Sequence, residues 1–157
     1  MKKIALTILL SVMCATPAVA ASKSTNHVVG VFLGASNIQD ETDFSYGLEY
    51  EYKFNDTWGL GPVFERTADA DHGRGVNVSL LSLYAHVTPS VRLGLGFGEE
   101  RIGADDSHHS HKEDLIRVSA AYDFHFDGGF GIAPTIAVDF VDGEQAEVFG
   151  IAFTKSF

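Results

Sequence analysis

The sequence predicts an all-β protein built from eight antiparallel strands in a single domain. Apolar residues recur at every second position, helical periodicity is weak, and turn-forming residues separate the alternating segments. The clearest case is FSYGLEYEYKF at 44–54, where aromatic or apolar residues occupy the even positions and small or charged residues occupy the odd ones. The segment VRLGLGFGE at 91–99 repeats this pattern. A period of two is the side-chain spacing of a β-strand.

Short and longer connections are predicted to alternate along the chain. The short ones are 55–57, 88–90 and 127–129, and the longer polar ones are 37–43, 67–75, 102–114 and 142–145. Pro62 and Pro134 fall inside predicted strands, and because proline donates no ladder hydrogen bond we expect a bulge or an interfacial position at each. The predicted strands cover 27–36, 44–54, 58–66, 76–87, 91–101, 115–126, 130–141 and 146–157.

The first 20 residues have the pattern of a secretory signal peptide. Lys2 and Lys3 precede an apolar run at 4–15, and the small residues at 18–20 form a cleavage signal. Residues 21–157 would then form the mature domain, with a formal charge of −12 in place of −10. The one cysteine, Cys14, lies in the predicted signal peptide. Burial and backbone hydrogen bonds must therefore hold the mature chain together without disulfides.

The two faces of the strands distinguish a water-soluble barrel from a membrane barrel. Large aromatic residues such as Phe97 and Phe149 alternate with small or charged residues. The aromatic face would overfill the narrow core of an eight-stranded barrel, whereas on the outside it forms a lipid-facing band. The sequence therefore predicts an eight-stranded antiparallel up-and-down transmembrane β-barrel. Closure of the barrel pairs every backbone polar group and leaves no open edge.

The last strand, VFGIAFTKSF, ends in Phe157 and carries Phe153, Ile151 and Phe149 on the same face. Lys155 shares that face and departs from its apolar and aromatic pattern. With the signal peptide and the segments YGLEYEYKFNDTWGLGP and RVSAAYDFHFDGGFGIAPTIAVDF, the last strand resembles the small eight-stranded outer-membrane barrels of Gram-negative bacteria. The resemblance is to the OmpA- and OmpX-type folds, and to an outer-membrane protein β-barrel family whose members mostly lack an assigned activity. The resemblance covers the whole mature chain.

The resemblance implies an outer-membrane protein with both termini in the periplasm and the longer connections outside the cell. A terminal phenylalanine after alternating apolar residues is the signal that such barrels present to the outer-membrane insertion machinery. The implied partners are that machinery, outer-membrane lipid and lipopolysaccharide, and the barrel is expected to be a monomer. The strongly acidic balance argues against nucleic acid as a partner.

The segment GADDSHHSHKED at 103–114 is a candidate metal site. Imidazoles beside carboxylates are good ligands for zinc, nickel or copper. However, adjacent histidines do not easily share one ion, and a polar loop lacks the surrounding groups that orient ligands. A solvated loop is the alternative, and we predict no required cofactor. The candidate ligands are His108, His109, His111, Asp105 and Asp106.

The predicted lumen is a second candidate site, because charged residues alternate with the lipid-facing ones. Such groups most often form a structural ion-pair network in a barrel too narrow to conduct. The excess of carboxylates leaves a narrow cation-preferring pore as an alternative. The predicted lumen residues are Glu49, Glu51, Lys53, Glu65, Arg92, Glu100, Arg117, Asp123 and Asp139.

Catalysis is not expected, although eight-stranded barrels include a lipid A deacylase and a lipid A palmitoyltransferase. Both enzymes need a serine and a histidine near the outer leaflet. Here the serines beside histidines, Ser107 and Ser110, fall in a predicted loop, where nothing orients a base against a nucleophile. The sequence therefore predicts a structural or surface-interaction role, with a metal-binding surface protein and a narrow pore as alternatives.

Overall fold

The computed structural model describes residues 26–38, 41–68, 70, 74–103 and 110–157. Eight antiparallel strands pair in chain order, and the last pairs with the first, so the predicted eight-stranded barrel is confirmed. A short continuation of the sixth strand, Phe124–His125, pairs with the seventh. The strands are β1 His27–Ile38, β2 Glu41–Lys53, β3 Trp58–Thr67, β4 Val76–His86, β5 Val91–Ile102, β6 His111–Tyr122, β7 Phe130–Val141 and β8 Glu144–Ser156.

The two faces of the barrel wall differ as the alternation predicts. On β5, Leu93, Leu95 and Phe97 are 44%, 40% and 54% exposed, while Arg92 on the opposite face is 5% exposed. The outward face is therefore apolar over the middle of the barrel, and the lumen takes the small and ionic residues. This arrangement defines a transmembrane barrel, because lipid replaces water around the apolar face.

The strands are strongly staggered around the barrel. A path of directly paired residues that starts at His27 on β1 crosses every strand and returns to β1 at Asn37, ten residues farther along. Closing eight strands requires such a stagger and tilts them by about 35–45° to the barrel axis. A row of paired residues therefore climbs along the barrel as it passes from β1 towards β8.

The two ends of the barrel differ in their connections. One end, called here the turn end, carries the connections 54–57, 87–90 and 126–129 and the beginning of β1 and end of β8. The other, the loop end, carries the connections 39–40, 68–75, 103–110 and 142–143. Aromatic residues surround the turn end on the outside, among them Tyr52, Trp58 and Phe124. Such a band is typical of a membrane interface.

Two of the four connections predicted to be longer are short. β1 and β2 pair as far as Ile38 and Glu41, and β7 and β8 pair as far as Val141 and Glu144, so two residues link each pair. Asp142 and Gly143 have φ values of 43° and 86°, the left-handed backbone of a tight two-residue hairpin turn. The predicted alternation of short and longer connections is therefore wrong at 37–43 and 142–145.

Pro62 and Pro134 do not produce the expected bulges. Each faces outward, and each stands opposite a gap in one ladder: the β2–β3 pairing is interrupted opposite Pro62, and the β6–β7 pairing opposite Pro134. The register is the same on both sides of each gap. Because proline lacks the N–H, pairing is lost locally while the strands stay aligned.

No helix in the described part of the chain is long and apolar enough to cross a membrane. The predicted signal peptide, residues 1–20, lies outside the described residues and remains a prediction.

Candidate functional site: the ionic lumen

The lumen contains two clusters of ion pairs, each organised by one arginine. In the first, Arg117 on β6 donates from Nε and Nη2 to the two carboxylate oxygens of Asp139 on β7, both at 2.6 Å. Its Nη1 donates to Glu65 on β3 at 2.8 Å. Ser45 on β2 donates to the other oxygen of Glu65 at 2.9 Å. Because β6 and β3 are three strands apart, Arg117 crosses the lumen.

The second cluster lies nearer the turn end and is organised by Arg92 on β5. Its guanidinium nitrogens lie 3.2 Å from Glu49, 3.6 Å from Glu51 and 3.7 Å from Asp123. The guanidinium also stacks over the Tyr84 ring, 4.9 Å from its centroid. Arg92 therefore links β5 to β2 across the lumen, and the aromatic ring supports its planar face.

A histidine belongs to this second cluster. The His86 Nε2 lies 2.6 Å from Glu51, and the two side chains are 8% and 3% exposed. His86 was not among the lumen residues predicted from the sequence. Its position on β4 has the parity of Tyr84, and that alternation was the available signal for an inward histidine. His27, by contrast, faces outward and hydrogen-bonds the Tyr50 hydroxyl at 2.7 Å.

Glycines on neighbouring strands make room for the carboxylates. A Cβ atom on Gly59 would lie 2.0 Å from the Glu51 carboxylate, and one on Gly30 would lie 2.5 Å from Glu49 Cγ. The inward-facing glycines are therefore part of the ionic site, because they leave the space that the carboxylate side chains occupy.

The predicted lumen residues divide into a connected set and two end residues. Seven belong to the two clusters: Glu49, Glu51, Glu65, Arg92, Arg117, Asp123 and Asp139. Lys53 lines the lumen at the turn end, and Glu100 lines the cavity at the loop end. Every buried side-chain nitrogen and oxygen of the described residues has a hydrogen-bond partner. This matters because an unpaired buried charge is very costly.

The lumen is almost filled. The described residues around Arg117 and Arg92 leave cavities of about 40 and 20 Å³, which have room for only a few water molecules. By contrast, a cavity of about 530 Å³ opens at the loop end, with Glu41, Glu113 and Glu144 among its lining residues. The site is therefore a densely packed ionic core beneath an acidic vestibule.

The candidate metal site falls largely outside the described residues. Asp105, Asp106, His108 and His109 belong to that part, so their arrangement is not described. His111 is described and lies at the start of β6, paired with Ile102, rather than in a loop. Its Nε2 lies 2.9 Å from Glu113, and its side chain is 66% exposed. Among the described residues, no three His, Cys, Asp or Glu side chains are grouped to hold a metal. Metal binding at 103–114 remains a prediction.

The geometry defines a class of protein: a small transmembrane barrel whose lumen is filled by paired charges. No protein-family model matches the chain, and no curated protein matches it in sequence. Solved structures do match it in fold.

The N-terminal β-barrel domain of Pseudomonas aeruginosa OprF matches with a TM-score of 0.67 at 15% identity, covering 86% of this chain and 100% of that one. Neisserial surface protein A matches with a TM-score of 0.59 at 9% identity, covering 83% and 96%. The attachment invasion locus protein Ail of Yersinia pestis matches with a TM-score of 0.54 at 14% identity, covering 83% and 96%. The chain thus has the fold of the small eight-stranded outer-membrane barrels, as the sequence resemblance predicted.

Proposed function

We propose that the protein is an integral outer-membrane barrel with a structural or surface-interaction role, without catalysis and without conduction. Arg117 carries this proposal, because it ties β6 and β7 to β3 across the lumen and leaves little space around it. The similarity to outer-membrane barrels supports the location. The loop end, with its two eight-residue connections and its acidic vestibule, is the surface directed to the outside of the cell.

The absence of catalysis is supported by the partners of the ionisable groups. Inside the barrel, His86 directs its Nε2 at Glu51 rather than at a hydroxyl nucleophile. The lumen carboxylates of the two clusters are held by buried arginines, which stabilise charge but do not exchange protons near neutral pH. Such an arrangement favours a structural network over an acid–base site.

Planar-bilayer recording tests the closed lumen. Purified, refolded wild-type barrel is expected to leave the membrane electrically silent, because both arginines block the path. The double variant Arg92→Ala/Arg117→Ala is expected to give discrete current steps with a cation preference, since the lumen carboxylates remain. The outward-facing Arg66→Ala is the matched control and should stay silent.

Wild-type current steps with the reproducible size of a single pore would contradict the proposal. A heat-modifiable gel shift, recorded for each variant, establishes that the tested protein is a folded barrel.

A further inference from the structure

Cationic side chains form one row on the outer wall near the loop end. Arg66 on β3 pairs with Asn77 on β4, Asn77 pairs with Arg101 on β5, and Arg101 pairs with Lys112 on β6. All four have the outward parity of their strands. We call the three cations Arg66, Arg101 and Lys112, with Asn77 between the first two, the cationic row. It contrasts with a chain whose net charge is −10.

The cationic row begins where the lipid-facing band ends. On β3, the outward Phe64 lies two residues nearer the turn end than Arg66 and is 56% exposed. On β5, Phe97 lies four residues nearer the turn end than Arg101 and is 54% exposed. Because the strands are tilted, the row also climbs. Three strand spacings of about 4.8 Å at a tilt of about 35–45° raise Lys112 by roughly 8–10 Å above Arg66. The cations therefore sample successive depths of one membrane surface.

An apolar groove runs below the low end of the row. It has a volume of about 460 Å³ and is lined on three strands by Val31, Leu33, Phe44, Tyr46, Leu48 and Phe64, with Arg66 and Asn77 at its edge. Arg66 Nη1 donates to the Asn77 side-chain oxygen at 2.9 Å, which fixes the guanidinium over the groove. A guanidinium carries five N–H donors, so this contact leaves others for a ligand.

The carboxylate of Glu99 lies between the upper two cations. Lys112 Nζ lies 2.7 and 2.9 Å from its two oxygens, and Arg101 Nη2 lies 3.9 Å away. All three side chains are about half exposed. Exposed ion pairs of this kind contribute little net stability, so a more highly charged anion can replace the carboxylate.

We infer that the cationic row binds one lipopolysaccharide molecule of the outer leaflet, with phosphates on the cations and an acyl chain in the groove below Arg66. Phosphate oxygens accept charge-assisted hydrogen bonds from arginine, often in a bidentate geometry. The groove adds an apolar subsite that a soluble anion cannot use. This inference rests on the proposed outer-membrane function, with the loop end facing out.

Spin-labelled lipid A provides the test. The barrel is refolded in phosphatidylcholine vesicles that contain a small fraction of labelled bis-phosphorylated lipid A, or of the same lipid without phosphates. Electron paramagnetic resonance gives the fraction of label immobilised by the barrel, and hence a relative association constant. Wild type is expected to prefer the phosphorylated lipid.

Single substitutions test whether the cationic row causes this preference for the phosphorylated lipid. Arg66→Gln, Arg101→Gln and Lys112→Gln should each lower the relative association constant by about two- to five-fold, the effect of an exposed charge pair. Glu99→Gln should raise it, because the competing carboxylate is lost. Lys155→Gln is the matched control, since Lys155 faces outward at the turn end beside Phe130, and it should leave the constant unchanged.

Several results would overturn the inference. These are an unchanged preference in the folded triple glutamine variant, an equal affinity for the phosphate-free lipid, and full displacement by an equimolar amount of inorganic phosphate. Failure of the wild type to insert into vesicles at all is a separate outcome, and it would overturn the proposed membrane function itself.

Discussion

Arg117 holds the first ionic cluster of the lumen together. It makes three charge-assisted hydrogen bonds to two carboxylates that are 4% and 3% exposed. Taking these charges out of water is costly, and the cost is offset only while each charge keeps its partners. The stability of the barrel should therefore fall more when one charged residue of the ionic core is removed than when all members of a cluster are replaced together by apolar residues.

Replacing Arg117 with methionine should destabilise the barrel by about 3–5 kcal/mol, because Glu65 and Asp139 would remain buried and unpaired. Urea unfolding in lipid vesicles, followed through the fluorescence of the single tryptophan, Trp58, measures this change. The triple variant Arg117→Met/Glu65→Leu/Asp139→Leu should recover most of the loss. A single variant as stable as the wild type would show that the ion pairs contribute little.

At the same scale, alternation predicted which charged residues face the lumen, because parity alone decides the face of a strand residue. It did not predict which charges pair. Arg92 contacts Glu49, Glu51 and Asp123 from two other parts of the wall. Which charges meet across the lumen depends on the ten-residue stagger of the closed barrel. The residue pattern of a single strand carries no information about that stagger.

Among the elements, the interrupted β6–β7 ladder has an identifiable cause. Pairing stops after Ala121 and resumes at Phe124, opposite Pro134, with no change of register. Pro134→Val would supply the missing N–H at an outward position of a strand. We expect β6 and its continuation to become one uninterrupted strand.

The predicted gain from Pro134→Val is about 0.5–1.5 kcal/mol for one added hydrogen bond. Hydrogen exchange should show slower exchange of the Tyr122 amide, opposite residue 134, in the variant. The Asp123 amide, which donates to the Ser90 carbonyl at 2.7 Å, serves as the internal reference. Faster exchange at Tyr122 would mean that the proline stabilises the gap rather than causing it.

The ends of the strands were predicted less well than their middles, for a physical reason. The hydrophobic alternation stops where the lipid stops, but backbone pairing continues beyond it. Glu41, Thr42 and Asp43 are polar, yet they pair with the end of β1. Likewise His111 and Lys112 extend β6 above the apolar band. The start of the polar residues therefore marks the membrane boundary and not the start of a loop.

For the whole molecule, the orientation in the membrane can be tested with single cysteines, because the one natural cysteine lies in the predicted signal peptide. Ser110→Cys at the loop end should react with a membrane-impermeant maleimide in intact cells. Asp127→Cys at the turn end should react only after the envelope is permeabilised. The opposite pattern would invert the proposed topology, and equal labelling of both sites in intact cells would contradict integral outer-membrane insertion.

The lengths of the four loop-end connections divide the rim of the barrel into two halves. Two-residue connections join β1 to β2 and β7 to β8, which lie next to one another in the closed wall, whereas eight-residue connections join β3 to β4 and β5 to β6. With the loop end outside the cell, as proposed, sequence drift, immune recognition and engineered peptide display would be concentrated on the β3–β6 side. The opposite side would then offer an antibody little beyond hairpin tips, and neutral variation there would be confined by turn geometry.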